Sequence, residues 1–156
     1  MARDHTYSAT VTWTGNRGEG TRRYRGYGRD HDIACTGKPV IRGSADPAYL
    51  GDAAWHNPED MLVAALSACH MLWYLHLCAS AGVVVTAYED AADGTMRTHP
   101  DGAGEFKRVT LRPRITITGD SDATVAERLH EQANAMCFIA RSVNFPVTHV
   151  AEIVIE

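Results

Sequence analysis

The sequence lacks the features that mark nucleic-acid-binding or secreted proteins. Its 15 lysines and arginines are outnumbered by 19 acidic residues, so the formal net charge is −4 and the pI is near 6.0. Proteins that bind nucleic acid usually carry a basic surface, and this balance argues against that class. Residues 1–5 lead directly into alternating polar and apolar residues, without the apolar run of a signal peptide, so we expect a cytoplasmic protein.

Closely spaced cysteine pairs are also absent. The four cysteines are Cys35, Cys69, Cys78 and Cys137, and no two of them form a CxxC motif. This spacing excludes a zinc knuckle and a thioredoxin-type motif. A chain without a secretion signal gives little reason to expect structural disulfides. Buried free cysteine usually behaves as a small apolar side chain, which is our expectation for Cys35 and Cys78.

Charged residues are missing from one long segment. Between Met61 and Tyr88 there is no Lys, Arg, Asp or Glu. The segment is long enough to cross a membrane, but four polar residues interrupt it and no basic residues flank it, so we expect no membrane span. A helix that is apolar on all sides is buried on all sides. In a chain of 156 residues, such burial predicts cover from a second subunit.

The ends of this helix are marked in the sequence. Asn57 is a favourable N-cap, Pro58 fits the first turn, and two acids complement the positive end of the helix dipole. Gly82 is a typical C-terminal stop, so the helix should run to about Ser80 or Ala81.

The rest of the chain predicts a single α+β domain over residues 1–156. Alternating or β-rich segments predict strands at 6–14, 21–27, 31–35, 83–92, 106–118 and 147–155. A second helix is predicted from Ala123 to about Ala135, capped by Ser121 or Asp122. Strands that are grouped, instead of alternating with helices, indicate the α+β class. Residues 36–56 are rich in turn formers and predict a long loop, which is often functional.

Cys69 lies in the middle of the apolar helix, where a thiol is normally unreactive because burial disfavours its thiolate. It becomes a nucleophile only when a nearby cation stabilises the charge. The helix itself contains no Arg or Lys, and His70 points about 100° away around the axis. The cation therefore has to come from another part of the fold.

Glu59 and Cys137 are the other candidate site residues. Ten residues of straight helix span about 15 Å, so Glu59 reaches Cys69 only if the helix is interrupted or a partner subunit supplies it. The simpler interpretation of Glu59 is a first-turn acid. Cys137 is predicted between the end of the second helix and a short helix at 138–143, whose N-terminus would favour a thiolate. A disulfide with Cys69 would require about 6 Å between the Cα atoms.

Three segments together resemble a known family. They are Asn57-Pro58-Glu59-Asp60, the Ser67-Ala68-Cys69 segment ten residues later, and Cys137-Phe138-Ile139-Ala140-Arg141-Ser142-Val143. With these segments the chain resembles the OsmC/Ohr family of thiol-dependent peroxidases. The resemblance extends over nearly the whole chain, including Val109-Thr110-Leu111-Arg112-Pro113, and residues 70–75 are more similar to the OsmC-like branch.

The resemblance implies an OsmC-like fold, with antiparallel sheets packed around a buried central helix in an intertwined homodimer. It implies that Cys69 attacks an organic hydroperoxide and that Cys137 resolves the sulfenic acid to a disulfide. An external dithiol then reduces the disulfide, and no cofactor, metal, nucleic acid or membrane takes part. Glu59 would orient an arginine that supports the Cys69 thiolate.

The position of that arginine is not fixed by the resemblance. Relatives often have arginine where this chain has Leu50. The other position used by the family, in the first turn between strands, matches Arg17. Arg29 also lies in a segment that resembles the family, so Arg17 and Arg29 rank nearly equal, with Arg42 third.

Two alternatives stay open at this point. A metal or haem site could use Cys69, His70, His76 and Cys78, although these side chains scatter around the helix whereas structural metal sites need converging ligands. The second alternative is a non-catalytic protein that binds a small hydrophobic ligand on the same fold. It stays open because Leu50 stands where relatives often have arginine. Apolar and aromatic residues near Cys69, namely Met71, Trp73 and Tyr74, favour an organic hydroperoxide as substrate if the protein is an enzyme.

Overall fold

The structure is a computed structural model that describes residues 2–156, and it confirms the predicted α+β class. Two helices, α1 and α2, occupy Pro58–Ala81 and Ala123–Met136. Nine strands complete the fold: β1 Thr10–Trp13, β2 His31–Ala34, β3 Ile41–Gly43, β4 Val85–Asp90, β5 Asp93–Thr98, β6 Gly104–Leu111, β7 Pro113–Ile117, β8 Val147–His149 and β9 Glu152–Ile155. Short 3₁₀ helices lie at Pro47–Tyr49 and Ala140–Ser142.

The chain divides into two compact units, which are described separately. The first unit extends to Met61 and contains the antiparallel sheet β1-β2-β3. The second unit, Leu62–Glu156, contains the sheets β4-β7-β9 and β5-β6-β8. In each of these two sheets one neighbouring pair is antiparallel and the other, β7-β9 or β6-β8, is parallel. The single domain predicted for residues 1–156 stays a prediction.

Several predicted strands differ from the structure. Segment 21–27 forms turns, because Arg29 hydrogen-bonds to the carbonyls of Tyr24 and Tyr27 and draws the backbone into a compact loop. Two long predicted strands are each divided in two: 106–118 gives β6 and β7, and 147–155 gives β8 and β9. The predicted strand 83–92 forms only the shorter β4. The predicted loop 36–56 contains β3 and a 3₁₀ helix.

The predicted ends of α1 are confirmed. The Asn57 side chain accepts the Asp60 N–H at 2.8 Å, and the Asp60 carboxylate accepts the Asn57 N–H at 3.4 Å. This reciprocal pair satisfies two backbone donors that the helix start leaves free. The helix ends at Ala81, and Gly82 follows with φ +75°. Glycine adopts this left-handed conformation without steric cost.

Within a single chain, helix α1 is buried along only one row, and the predicted cover from a second subunit stays a prediction. The row consists of Leu66, His70, Tyr74 and Cys78, spaced four residues apart, whereas Leu72 is 63% exposed. The helix is long and apolar enough to cross a membrane, with a mean hydropathy of 1.6. Core helices of soluble proteins can be equally long and apolar, so length and composition are weak evidence for a membrane span.

Candidate active site

The two predicted site cysteines are in contact in the second unit. Cys69 lies on α1 and is half-buried, whereas Cys137 directly follows the last residue of α2 and is buried. The Cys137 N–H donates to the Ala133 carbonyl at 2.9 Å, after which the backbone leaves the helical conformation. The Cys137 thiol is hydrogen-bonded to the Cys69 thiol, and both are free cysteines. Their side chains lie near enough to interact, which a disulfide between them requires.

The two thiols differ in their surroundings. Burial, and secondly the hydrogen bond to Cys69, raise the pKa of Cys137 to about 11. The N–H of Ala140 donates to the Cys137 sulfur at 3.4 Å and acts in the opposite direction. Burial outweighs it, so the expectation that a helix start makes Cys137 a thiolate is wrong. The 3₁₀ helix there is also shorter than predicted, at Ala140–Ser142. At neutral pH Cys137 is therefore a neutral thiol that can donate a hydrogen bond to Cys69.

Three side-chain hydrogen bonds, which we call the inter-helix ladder, join α1 to α2 and Cys137. They connect Cys69 to Cys137, His70 Nε2 to His130 Nδ1 at 3.0 Å, and the Tyr74 hydroxyl to the Ala126 carbonyl at 3.1 Å. As the contacting residues on α1 advance from Cys69 to Tyr74, their partners run backward from Cys137 to Ala126. On α2 the contacting residues lie on one face, because spacings of four, seven and eleven residues return to the same side of a helix.

The central contact of the ladder belongs to a cluster of three histidines. The ring centroids of His70, His130 and His149 are 5.3, 5.6 and 5.7 Å apart, and the Tyr74 ring stacks on His130 at 3.9 Å. Desolvation and, secondly, His149 lower the pKa of His70 to about 4, while Asp90 acts in the opposite direction. Desolvation, then His70 and then His149 lower the pKa of His130 to about 3. Both inner histidines are therefore neutral at neutral pH.

The sequence analysis missed His130 and His149. His130 lies seven residues before Cys137, and this spacing of two helical turns places both on one face of α2. That spacing was the available signal. His149 lies at the end of β8, far from both helices in sequence, and no local pattern marks it.

The apolar surface beside the cysteines is formed by aromatic side chains. Trp73 on α1 packs edge-to-face against Phe138, with ring centroids 5.5 Å apart, and Phe138 directly follows Cys137. Phe138 is 64% exposed. Tyr74, which was grouped with Trp73 in the sequence analysis, instead points inward to His130.

Glu59 lies on the first turn of α1, which is continuous from Pro58 to Ala81. Ten residues of unbroken helix separate Glu59 and Cys69 by about 15 Å along the axis. The helix interruption considered in the sequence analysis is therefore excluded. Among the described residues, Glu59 has no hydrogen-bonded or ion-paired side-chain partner.

Arg17 and Arg29 line the same cavity of about 340 Å³ in the first unit, together with Leu50. Arg29 donates to the Tyr27 carbonyl at 2.6 Å and to the Tyr24 carbonyl at 2.8 Å. Its guanidinium also lies 4.0 Å from the Tyr27 ring centroid and 4.7 Å from that of Tyr24. Arg17 is exposed, and within residues 2–156 its side chain makes no hydrogen bond or ion pair.

Backbone packing places the turn that carries Arg17 beside Arg29. The Gly28 N–H donates to the Gly15 carbonyl at 2.8 Å, and a Cβ on Gly15 would collide with the Gly28 carbonyl. Leu50 has φ +63°, the left-handed region that is costly for a residue with a side chain. Arg42, ranked third, lies over the Trp55 ring at 5.4 Å.

The alternative metal or haem site finds no support in the side-chain positions. Cys78 is buried and hydrogen-bonded with Tyr74, His70 bonds to His130, and His76 packs against Trp73. In the part of the chain that the structure describes, no group of three His, Cys, Asp or Glu residues is arranged to hold a metal ion.

Comparisons with known proteins agree on one family. The family model described as OsmC-like protein matches residues 51–152. A solved structure of an OsmC-like protein of unknown function from Vibrio cholerae is 34% identical, covers 95% of this chain and 99% of its own, and has a TM-score of 0.85. No curated protein sequence matches the chain.

Two more distant structures share the fold. An organic hydroperoxide resistance protein from Elizabethkingia anophelis is 17% identical, covers 100% of both chains and has a TM-score of 0.70. The organic hydroperoxide resistance protein OhrB of Bacillus subtilis is 19% identical, covers 96% of this chain and 98% of its own, and has a TM-score of 0.64.

Proposed function

Since this chain belongs to the OsmC-like protein family, we propose that it is a thiol-dependent peroxidase that reduces organic hydroperoxides. Cys69 is the attacking thiol and Cys137 the resolving thiol. The observation that carries the proposal is the contact between the two thiols, of which Cys137 is buried and protonated at neutral pH. A thiol that stays protonated is the weaker nucleophile toward peroxide, which leaves Cys69 for the first step.

The chemistry balances with these two cysteines and an external dithiol. The Cys69 sulfur attacks the outer oxygen of the hydroperoxide, the O–O bond breaks, and the alcohol leaves with a proton. Cys69 is now a sulfenic acid. The Cys137 sulfur then attacks the Cys69 sulfur and displaces the hydroxyl of the sulfenic acid. The hydroxyl leaves as water with the Cys137 proton, and the disulfide forms. A dithiol reduces the disulfide by thiol–disulfide exchange, so no bound cofactor is required.

Arg17 is our candidate for the cation that supports the Cys69 thiolate. Family resemblance gave Arg17 and Arg29 nearly equal rank. The guanidinium of Arg29 is already engaged by two carbonyls and two tyrosine rings, whereas that of Arg17 is free within the described residues. A free guanidinium can bind a thiolate or a developing alkoxide without first losing other partners.

We also propose a homodimer in which Glu59 acts across the subunit boundary. Its distance along the unbroken α1 removes direct contact with Cys69 of the same chain. Outside the buried row, α1 presents apolar side chains such as Leu72 to the surface. Exposed apolar surface of this kind marks an interaction site, and a second copy of α1 would cover it. The oligomeric mass measured by light scattering tests this part of the proposal.

The test of the activity is turnover of cumene hydroperoxide with a dithiol reductant. Cys69→Ser should abolish turnover, and Cys137→Ser should stop after one equivalent of peroxide. Cys35→Ser is the matched control and should behave as wild type, because Cys35, directly after β2, makes no hydrogen bond to Cys69 or Cys137 among the described residues.

Equal activity in wild type and Cys69→Ser would contradict the proposal. It would favour the non-catalytic alternative, in which the protein binds a small hydrophobic ligand. In that case a hydrophobic fluorescent probe should bind equally well to wild type and to Cys69→Ser.

A further inference from the structure

The hydrogen bond between His70 and His130 is buried between the two segments that carry the cysteines. Both side chains are 0% exposed, and the ring planes differ by only 4°. The two nitrogens that face each other share a single hydrogen, so one ring donates and the other accepts. This arrangement is also unsuited to a metal ion, which would need both nitrogens as acceptors.

Each histidine has only this one polar partner among the described residues. No protein atom there bonds to His70 Nδ1 or His130 Nε2. Breaking the remaining hydrogen bond would leave a buried polar atom without any partner, which is unfavourable because the atom also has no access to water. The pair therefore favours the relative position of α1 and α2 that keeps this hydrogen bond over shifted positions that break it.

This position is passed on to the cysteines through short covalent and helical connections. His70 directly follows Cys69 in the sequence, so one peptide bond joins them. His130 is two helical turns from Cys137, on the same face of α2, with Ala133 between them. An α-helix of this length moves nearly as a rigid body, so a shift at His130 displaces Cys137 by a similar amount. Disulfide formation tolerates only about 1 Å of variation in the Cβ–Cβ distance.

We propose that the His70–His130 hydrogen bond is a positioning element that holds Cys137 against Cys69 and thereby favours formation of the disulfide between them. The inference rests on the proposed function for the identity of the resolving step. In that step the Cys137 sulfur displaces the hydroxyl of the Cys69 sulfenic acid, and water leaves. The pairing of the two thiols itself needs no peroxide, because oxidised glutathione can drive it with release of two reduced glutathiones.

The experiment compares leucine and asparagine at His130, which have the same branching and nearly the same size. Asparagine places a polar atom where His130 has Nδ1, whereas leucine does not. In a glutathione redox titration of the full chain, His130→Leu should lower the equilibrium constant for the Cys69–Cys137 disulfide at least tenfold. His130→Asn should stay within about threefold of wild type.

A double variant separates positioning from stability. His70→Leu combined with His130→Leu leaves no buried nitrogen without a partner, and replacement of both partners of a hydrogen bond by apolar groups of similar shape is nearly neutral for folding. We expect this variant to fold while its disulfide constant still falls at least tenfold. Ile117→Ala, which removes a buried side chain from the core of the same unit, is the control for destabilisation alone and should leave the constant unchanged.

The proposal is overturned if the double variant forms the disulfide as readily as wild type, or if Ile117→Ala loses as much as His130→Leu. Peroxide measurements add an independent arm. After exposure to cumene hydroperoxide, a larger fraction of Cys69 should be over-oxidised to sulfinic acid in the double variant than in wild type. If wild type reduces no hydroperoxide, the proposed function fails, and the glutathione titration still decides the role of the histidine pair.

Discussion

The guanidinium of Arg29 lies 4.0 Å from the ring centroid of Tyr27 and also donates a hydrogen bond to the Tyr27 carbonyl at 2.6 Å. One residue thus holds both the side chain and the backbone of the loop that replaces a predicted strand. We therefore treat Arg29 as a structural residue of the first unit, in contrast to Arg17.

Replacement of Arg29 by alanine should destabilise the first unit. The change removes two hydrogen bonds from a charged donor and two cation–π contacts, and partial exposure reduces their combined contribution to about 1–2 kcal/mol. Chemical denaturation followed by far-UV circular dichroism measures the loss. An Arg29→Ala variant with wild-type stability would show that these contacts are not maintained in solution.

Replacement of Arg17 by alanine should leave stability unchanged but slow the first chemical step. Within residues 2–156 the Arg17 side chain makes no hydrogen bond or ion pair, so its removal breaks no interaction that stabilises the fold. Removal of a cation from a thiolate and a developing alkoxide should reduce the rate of Cys69 oxidation about 10- to 1000-fold. Stopped-flow kinetics with cumene hydroperoxide measure it, and Arg22→Ala, at an exposed arginine of the same unit, is the matched control.

Cys137 should influence the first step as well as the second. Its thiol donates a hydrogen bond toward the Cys69 sulfur, so its removal withdraws one stabilising contact from the Cys69 thiolate. Alkylation of Cys69 by iodoacetamide at pH 7 should be about 3- to 10-fold slower in Cys137→Ala than in Cys137→Ser, whose hydroxyl can still donate. Equal rates in the two variants would limit Cys137 to the resolving step.

The buried histidines should make stability depend on pH. Their pKa values are lowered to about 4 in His70 and about 3 in His130, and both are near 6.5 in an unfolded chain. Below pH 6.5 the unfolded chain therefore binds more protons, and the free energy of unfolding falls as the pH decreases toward 4. Each histidine contributes a slope of at most about 1.4 kcal/mol per pH unit. The other ionisable groups beside the pair are His149 on β8, Asp90 on β4 and Tyr74 on α1.

Urea denaturation at pH values between 4 and 7 measures this slope. The double variant His70→Leu/His130→Leu should show a much flatter dependence over the same range. Glu105, whose pKa is lowered by its hydrogen bonds to His99 and Lys107, loses its contribution as the pH falls through the carboxyl range and below, so it does not imitate the histidine effect near pH 6. A wild-type protein whose stability is constant between pH 6.5 and 4 would contradict the prediction.

Structural features that depend on neighbouring residues could be predicted from the sequence. Features that depend on residues distant in the chain could not. The start of α1 at Asn57 and its end before Gly82 follow from local hydrogen bonding and backbone preference. The division of 106–118 at Arg112, by contrast, depends on β6 and β7 joining different sheets. Nothing in the alternation of apolar residues shows such a change of partner.

The candidate site shows the same limit. Cys69 and Cys137 could be selected from their settings and from the family resemblance, but His130 could be recognised only after α1 was known to lie beside α2. A histidine on an amphipathic helix is ordinary when the opposing surface is unknown. Its burial against His70 is a property of the tertiary contact.

The edge-to-face contact between Trp73 and Phe138 gives this protein a built-in optical signal. The indole emission of tryptophan changes when an adjacent ring moves, and Phe138 is attached directly to Cys137. The remaining tryptophans, Trp13 and Trp55, belong to the other unit. The redox state of the cysteine pair can therefore be followed in real time without a label, from the fluorescence of a single side chain.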